Sequence, residues 1–182
     1  MLRAIELDPL SPQIGSNLAD AYIYASRWDE AIAQCKRVLE MKPDFFSANY
    51  CLVRAYVGKS VYREAVDEAE KLVRSMPEEP LVKAILGSIY GLAGLQEQAK
   101  EILGEMLELS KRQYVPPSLF MQLYFSIDEM DRMYEWMQKD YDEHDTTIPL
   151  WRWDPLVRKI WADPRFKDFE EGRLRIDSSG TA

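Results

Sequence analysis

Apolar residues recur at helical spacing in short segments that are separated by polar turns. One early segment carries Leu18 and Tyr22, and the next carries Ala31, Cys35 and Val38. Residues three or four apart lie on the same face of a helix, so each segment predicts an amphipathic helix. The pattern therefore predicts pairs of helices that pack through their apolar faces.

This pattern repeats along the chain with a step of 34 residues. The columns that keep the step are Tyr22, Tyr56, Tyr90 and Tyr124; Leu18, Leu52, Leu86 and Phe120; Ala31, Ala65 and Ala99; and Pro9, Pro43 and Pro77. A single period shared by four columns indicates stacked helix pairs, none of which can bury its apolar face alone. The fold class predicted is an all-α solenoid.

The columns resemble those of the tetratricopeptide-repeat family, which combine an early leucine, an aromatic residue, a small residue and a closing proline. The resemblance implies a right-handed superhelix of antiparallel helix pairs with short capping helices at the C-terminal end. The fourth repeat is degenerate, because Met133 and Asp145 replace the small residue and the proline. The predicted repeats are residues 12–45, 46–79, 80–113 and 114–147.

The two ends of the chain predict closing elements. Residues 1–11 are interpreted as the remaining second helix of a truncated repeat. Residues 148–176 are expected to form capping helices, with Asp154 and Asp163 each preceding a proline as an N-cap, and residues 177–182 are expected to be a disordered tail. The aromatic residues predicted to close the solenoid are Trp151, Trp153, Trp161, Phe166 and Phe169.

The region from Lys111 to Phe169 is similar to the closing part of repeat arrays in bacterial multidomain regulators. In those proteins the array follows a winged-helix DNA-binding, protein kinase or nucleotidyl cyclase domain. The resemblance implies a sensory or scaffolding segment that binds a protein or peptide. Two alternatives stay open, a spacer or oligomerisation segment and the non-catalytic part of a larger enzyme.

Charge and composition limit the classes of partner and the kinds of site that the chain can have. The net charge of −8 disfavours nucleic acid, because phosphate binding needs clustered Lys and Arg. No apolar stretch approaches the roughly 20 residues that span a bilayer, so a soluble chain is expected, with the cytoplasm as the default compartment. The two cysteines form no CxxC pair, which argues against a disulfide framework or zinc site. Cys35 is expected to be buried and Cys51 to be partly exposed.

Other residues that suggest chemistry have simpler explanations. Gly58-Lys59-Ser60 resembles the end of a phosphate-binding loop, but Val53 stands where that loop needs a glycine. We interpret these residues as a turn. His144 lies in an acidic stretch and is expected at a solvated helix end. No catalytic triad is visible, so the sequence predicts no enzyme, no cofactor and no metal site.

Recognition is expected on the concave wall that the first helices of the repeats form. Tyr and Arg are frequent binding hot spots, although Tyr50 could equally pack between repeats. The predicted groove residues are Asn17, Asp20, Tyr24, Tyr50, Arg54, Ser88 and Gln122.

Two further expectations concern partners. Repeats that capture the acidic carboxyl terminus of heat-shock chaperones use Lys and Asn at matching positions on the wall. The residues at those positions here are Ser16, Asp20, Cys51, Leu81 and Ile85. This difference disfavours such a chaperone as the partner. The uncovered leading helix also predicts a homodimer through the truncated N-terminal end.

Overall fold

A computed structural model describes residues 8, 10–143 and 154–171. Residues 12–142 fold into four consecutive helix pairs. The pairs are α1 (Pro12–Tyr24) with α2 (Trp28–Met41), α3 (Phe46–Gly58) with α4 (Tyr62–Ser75), α5 (Pro80–Leu92) with α6 (Gln96–Ser110), and α7 (Pro117–Ser126) with α8 (Met130–Asp142). Each helix packs on the next, and the predicted all-α solenoid is confirmed.

Small buried side chains mark the places where helices pack. Ala31 and Ala65 are fully buried on α2 and α4, and Ala99 is buried at the matching position of α6. Gly87 on α5 faces both the partner helix and the next pair, since a Cβ there would lie 2.8 Å from Ile102 and 2.6 Å from Leu123. A larger side chain at this position would therefore push α5 away from two neighbours.

Each first helix ends in the same turn, in which one residue has a left-handed backbone. These residues follow the step of 34 and are Ser26 (φ 56°), Ser60 (φ 59°), Gly94 (φ 81°) and Asp128 (φ 65°). The amide after each one donates to the carbonyl of the column tyrosine at 2.8–3.0 Å, which satisfies an acceptor left open at the helix end. Gly58-Lys59-Ser60 forms this turn in the second pair, and the fourth pair keeps it despite its degenerate columns.

Prolines set where the helices end and begin. α2 and α4 end two residues before Pro43 and Pro77, because proline lacks the amide that would continue the helix. α6 has Lys111 at the corresponding position and is 15 residues long, against 14 for α2 and α4. α7 begins at Pro117. The step of 34 predicts a start at residue 114, so the helix begins later than the repeat pattern indicates.

The C-terminal segment forms a 3₁₀ turn (Pro155–Val157), α9 (Arg158–Ala162) and α10 (Pro164–Glu170). Asp154 accepts a hydrogen bond from the Leu156 amide at 2.9 Å, and Asp163 accepts one from the Arg165 amide at 2.9 Å. Both aspartates thus satisfy amides that a helical turn leaves open at its start.

Helices α9 and α10 cover the last helix pair. Ile160, Phe166 and Phe169 are buried in a cluster with residues of α7 and α8. The residues they meet are Met121, Met133, Tyr134 and Met137. Several predicted features lie outside the described residues. They are the tryptophans at 151 and 153, the Trp161 side chain, His144, Asp145 and residues 1–7, 148–153 and 172–182. The repeat boundaries, the truncated first helix and the disordered tail stay predictions.

The cysteines lie in the core of the first two helix pairs. Cys35 is fully buried, as predicted. The expectation that Cys51 is partly exposed was wrong, because α3 packs against α1 and brings Cys51 Sγ to 3.9 Å from the Ser16 carbonyl. The Cys51 thiol and burial both raise the pKa of the Cys35 thiol.

Candidate functional site

A pocket opens between the first helices of the second and third pairs. α1 packs closely on α3, and α5 on α7, whereas α3 and α5 lie further apart. The side chains at equivalent positions of the two helices differ in size. Val53 and Val57 on α3 lie 34 residues before Gly87 and Gly91 on α5. We infer that the two valines hold α5 away from α3, while the two glycines let α7 approach α5.

The pocket has an apolar wall and a polar side. Val53 and Val57 of α3 face Ile85 and Ile89 of α5, and the four side chains belong to one buried cluster. The polar lining residues from the first helices are Arg54, Ser88, Gln122 and Ser126. A ligand here would meet aliphatic carbon on one side and hydrogen-bonding groups on the other.

Arg54 is the one arginine or lysine among the described residues that line this pocket, and its side chain is only 11% exposed. Its guanidinium donates to Asp20 on α1 through one nitrogen and to Asp154 Oδ2 at 2.6 Å through the other. The rings of Tyr24 and Tyr50 lie 5.4 Å and 5.7 Å from its Cζ atom. These contacts fix the orientation of the guanidinium before any ligand arrives.

The surroundings of Arg54 also set its charge. Burial lowers the pKa of the guanidinium, but the neighbouring Asp154, Tyr50 and Asp20 raise it by more, so the net pKa lies above the ordinary arginine value. Burial raises the pKa of the Tyr50 hydroxyl, which is therefore neutral at physiological pH. The pocket thus holds a permanent cation beside a neutral ring.

Four predicted groove residues form a single column. Asp20, Arg54, Ser88 and Gln122 are each 34 residues apart. Arg54 binds Asp20, and the last three line the same pocket. The sequence therefore indicates this part of the site, because the column places an acidic residue, a basic residue and two neutral polar residues along one wall.

The other predicted groove residues occupy different places. Tyr50 lines the pocket and also packs against the cluster between the second and third pairs, so its packing between repeats is observed and its contact with a ligand stays a prediction. Tyr24 is exposed beside Arg54 and does not line the pocket. Asn17 is exposed on α1, where it accepts a hydrogen bond from Gln13 at 2.9 Å, and it does not line the pocket.

Sequence reasoning missed the part of the site that the C-terminal segment contributes. Asp154, Leu156 and Val157 line the pocket, and Leu156 packs against its apolar cluster. Asp154 was expected only as a helix N-cap. Local sequence gives no sign of its contact with Arg54, because the partners lie in different elements far apart in the chain.

Neither a metal centre nor a membrane span was found in the part of the chain that the structure describes. Across residues 8, 10–143 and 154–171, no three His, Cys, Asp or Glu side chains are grouped so as to hold a metal ion. No helix in the same residues is both long and apolar enough to cross a bilayer. The pocket itself presents one guanidinium beside an apolar wall.

Comparison with known proteins gives partial matches. No protein-family model matches the chain. It is 34% identical over 96 residues to the small glutamine-rich tetratricopeptide repeat-containing protein 2 of Mycosarcoma maydis, covering 53% of this chain and 26% of that protein. It is 29% identical over 87 residues to the sperm-associated antigen 1 of Rattus norvegicus, covering 48% of this chain and 10% of the antigen.

The matched parts are short relative to these relatives. The sperm-associated antigen 1 of Mus musculus is 30% identical over 102 residues, which cover 52% of this chain and 11% of the antigen. The chain therefore spans about a quarter or less of the curated relatives it matches. The chain is similar to tetratricopeptide-repeat proteins, and this similarity supports a protein–protein interaction module.

Proposed function

We propose that this chain binds a segment of a partner protein along its concave face, with Arg54 as the anchor. The observation that carries the proposal is the pre-oriented, mostly buried guanidinium beside an aliphatic wall. Arginine and tyrosine are enriched among the residues that dominate binding energy, and such residues lie in well-packed, desolvated pockets. The role proposed is scaffolding or signalling without catalysis.

The charge around the pocket supports a protein partner over nucleic acid. Asp20 lies beside Arg54, and the whole chain carries a net charge of −8. A phosphate backbone would meet repulsion from these carboxylates, since its affinity depends on several unpaired cations. Arg54 next to apolar carbon is suited to a single acidic side chain of a peptide, which would take the place on the guanidinium that Asp154 holds.

A capture experiment with matched charge variants tests the proposal. The chain, Arg54→Glu and Lys100→Glu are each used to capture proteins from native lysate, and a captured partner is identified by mass spectrometry. It is then titrated as a purified protein against the three chains. Lys100 is exposed on α6, a second helix, so its variant makes the same charge change away from the groove.

We expect Lys100→Glu to bind the purified partner like the unchanged chain and Arg54→Glu to lose at least tenfold in affinity. Circular dichroism establishes that both variants keep their helices. Equal binding by all three chains would place recognition outside the groove and overturn the proposal.

We also propose that the module belongs to a larger cytoplasmic regulatory protein. The support is the similarity of residues 111–169 to the closing region of arrays in bacterial regulators, together with the small share of its relatives that the chain spans. The alternative is the non-catalytic part of a larger enzyme. The sequence of the complete gene distinguishes the two, because it shows which domain accompanies the repeats.

A spacer or assembly role is the second candidate function. Leu10, just before α1, is 74% exposed, and Met41 at the end of α2 is also exposed. Exposed apolar side chains on the first helix pair favour an end-to-end homodimer. Sedimentation equilibrium tests this, because a chain that stays monomeric at high concentration would exclude the dimer.

A further inference from the structure

The start of the C-terminal segment crosses the concave face and touches several helix pairs. Asp154 binds Arg54 in the second pair. Arg158 Nη2 donates to Ser26 Oγ in the turn of the first pair at 3.2 Å, and Lys159 forms an ion pair with Asp128 in the turn of the fourth pair. The chain thus lays its own segment along the wall where a partner is proposed to bind.

Leu156 lines the open pocket between α3 and α5. It packs against the buried cluster that contains Val53, Val57, Ile85 and Ile89. These four residues also form the apolar wall of the pocket. The segment therefore supplies one carboxylate to Arg54 and, two residues later, one aliphatic side chain to the pocket.

The contacts that hold this segment are few and partly exposed. Residues 154–157 are all half-buried, and the Asp154 side chain is 19% exposed. The Lys159 and Asp128 side chains are 60% and 72% exposed, and such surface pairs contribute only about 0–1 kcal/mol. The Arg54–Asp154 pair is more buried, with side chains 11% and 19% exposed, so it is the main contact that a displacing partner must replace.

The residues that follow hold the C-terminal segment through buried apolar side chains. Ile160, Phe166 and Phe169 are buried against α7 and α8. Val157 also packs against this cluster, but the three following side chains are themselves buried in it, so residues 154–157 can leave the groove while α10 stays packed on the last helix pair.

We propose that residues 154–157 act as an internal substitute for a partner peptide and that the partner displaces them. The displacing peptide carries Asp or Glu followed two residues later by an aliphatic side chain, as Asp154 and Leu156 are arranged. This inference rests on the proposed function, and it names the chemistry of the partner and the way access is controlled.

The chemistry of the pocket sets these two requirements. Asp20 already occupies one side of the Arg54 guanidinium, which leaves one carboxylate to be supplied. Leu156 packs against the apolar cluster beside this pocket, so an aliphatic side chain two residues after the carboxylate would meet the same apolar surface. A linked segment competes at an effective concentration in the millimolar range, so the intact chain binds such a peptide weakly.

A fluorescent peptide with the sequence of residues 150–159 measures this competition by anisotropy. It is titrated against the intact chain, against Asp154→Asn with Leu156→Ser, which releases the internal segment, and against that double variant with Arg54→Met added. We expect at least tenfold tighter binding to the double variant than to the intact chain. Arg54→Met should remove at least tenfold of the gained affinity, and so should Asp→Asn in the peptide.

Amide hydrogen exchange gives a second measurement that uses the intact chain. Saturating peptide is expected to speed exchange at the Leu156 amide, which is bonded to Asp154, while the amides of α10 keep their protection. This readout does not depend on whether any variant folds.

Two results would overturn the inference. They are equal peptide affinity for the intact chain and the double variant, and a peptide affinity that does not depend on Arg54. If the captured partner still depends on Arg54 but the peptide fails, the proposed function stands and this inference falls. If neither depends on Arg54, both fall.

Discussion

Arg54 and Asp154 are 100 residues apart in the chain, yet Arg54 Nη2 donates to Asp154 Oδ2 at 2.6 Å. The contact joins the second helix pair to the C-terminal segment across the concave face. Asp154 is itself fixed, because its other oxygen accepts from the Leu156 amide. One carboxylate thus starts the C-terminal turn and binds the cation at the centre of the groove.

Arg54→Met should loosen the C-terminal segment and lower stability. The substitution keeps an apolar side chain of similar reach but leaves Asp20 and Asp154 without their shared cation. We expect a loss of about 1.5–3 kcal/mol in the free energy of unfolding, the usual range for hydrogen bonds to charged groups. Urea titration measures the loss, and faster exchange of the Leu156 amide locates it.

Arg37→Met is the matched control, since Arg37 is exposed on α2. A change within about 0.5 kcal/mol is expected there. If the two variants unfold alike and the Leu156 amide stays protected in both, Arg54 does not hold the segment.

Gly91→Ala should separate α5 from α7. An added Cβ would lie 2.8 Å from the Ser126 backbone oxygen and 2.4 Å from its Oγ, so the helices must move apart. Overpacking of this kind costs about 1–3 kcal/mol. Gly104→Ala on α6 is the control, because a Cβ there meets open space and alanine favours helix by about 0.5–1 kcal/mol. Stabilisation by both variants would contradict the close packing of α5 and α7.

Gly94→Ala tests the shared turn through the backbone alone. A Cβ at Gly94 would touch nothing within 4 Å, but the residue has a φ of 81°. A left-handed backbone costs an L-residue about 1–2 kcal/mol, so the variant should melt at a lower temperature. Ser60→Gly, at the same position one pair earlier, should raise the melting temperature. Unchanged melting in both variants would exclude the left-handed turn.

The ion pair at the start of α10 predicts a pH dependence. The Arg165 side chain bonds to Asp163 and holds the pKa of that carboxyl below its ordinary value. Because the folded pKa is below the unfolded one of about 3.9, the stabilisation is fully present above the unfolded value. It is lost as the pH falls through the folded value.

Asp163→Asn isolates this contribution, since asparagine still accepts from the Arg165 amide but carries no charge. The variant should be less stable than the unchanged chain by under about 1 kcal/mol at pH 7. The difference should shrink toward zero as the pH is lowered below about 4. A difference that persists or grows in acid would show that the charge of Asp163 is not its source.

The solenoid could be predicted from the sequence because each unit uses the same residues for the same contacts. Ala31 and Ala65 are buried at equivalent places, and Pro43 and Pro77 follow equivalent helix ends. Periodicity reports such local and nearest-neighbour packing directly. The start of α7 departed from the period because Pro117 takes the first helical position.

The pocket could be predicted only in part. The column through Asp20 and Arg54 places those residues on one wall, but periodicity assumes equal spacing between pairs. The wider gap between α3 and α5, where Val53 lies, breaks that assumption. The arrival of Asp154 and Leu156 depends on how a non-repeating segment folds back, which no repeat column encodes.

Site-specific photo-crosslinking to the captured partner tests the central claim most directly. A benzophenone amino acid replaces Tyr24, which is exposed on α1 beside Arg54, or Lys100, which is exposed on α6. Groove recognition predicts a covalent adduct with the partner from position 24, lost when Arg54→Glu is added, and none from position 100. An adduct that forms from position 100 and not from position 24 would contradict it.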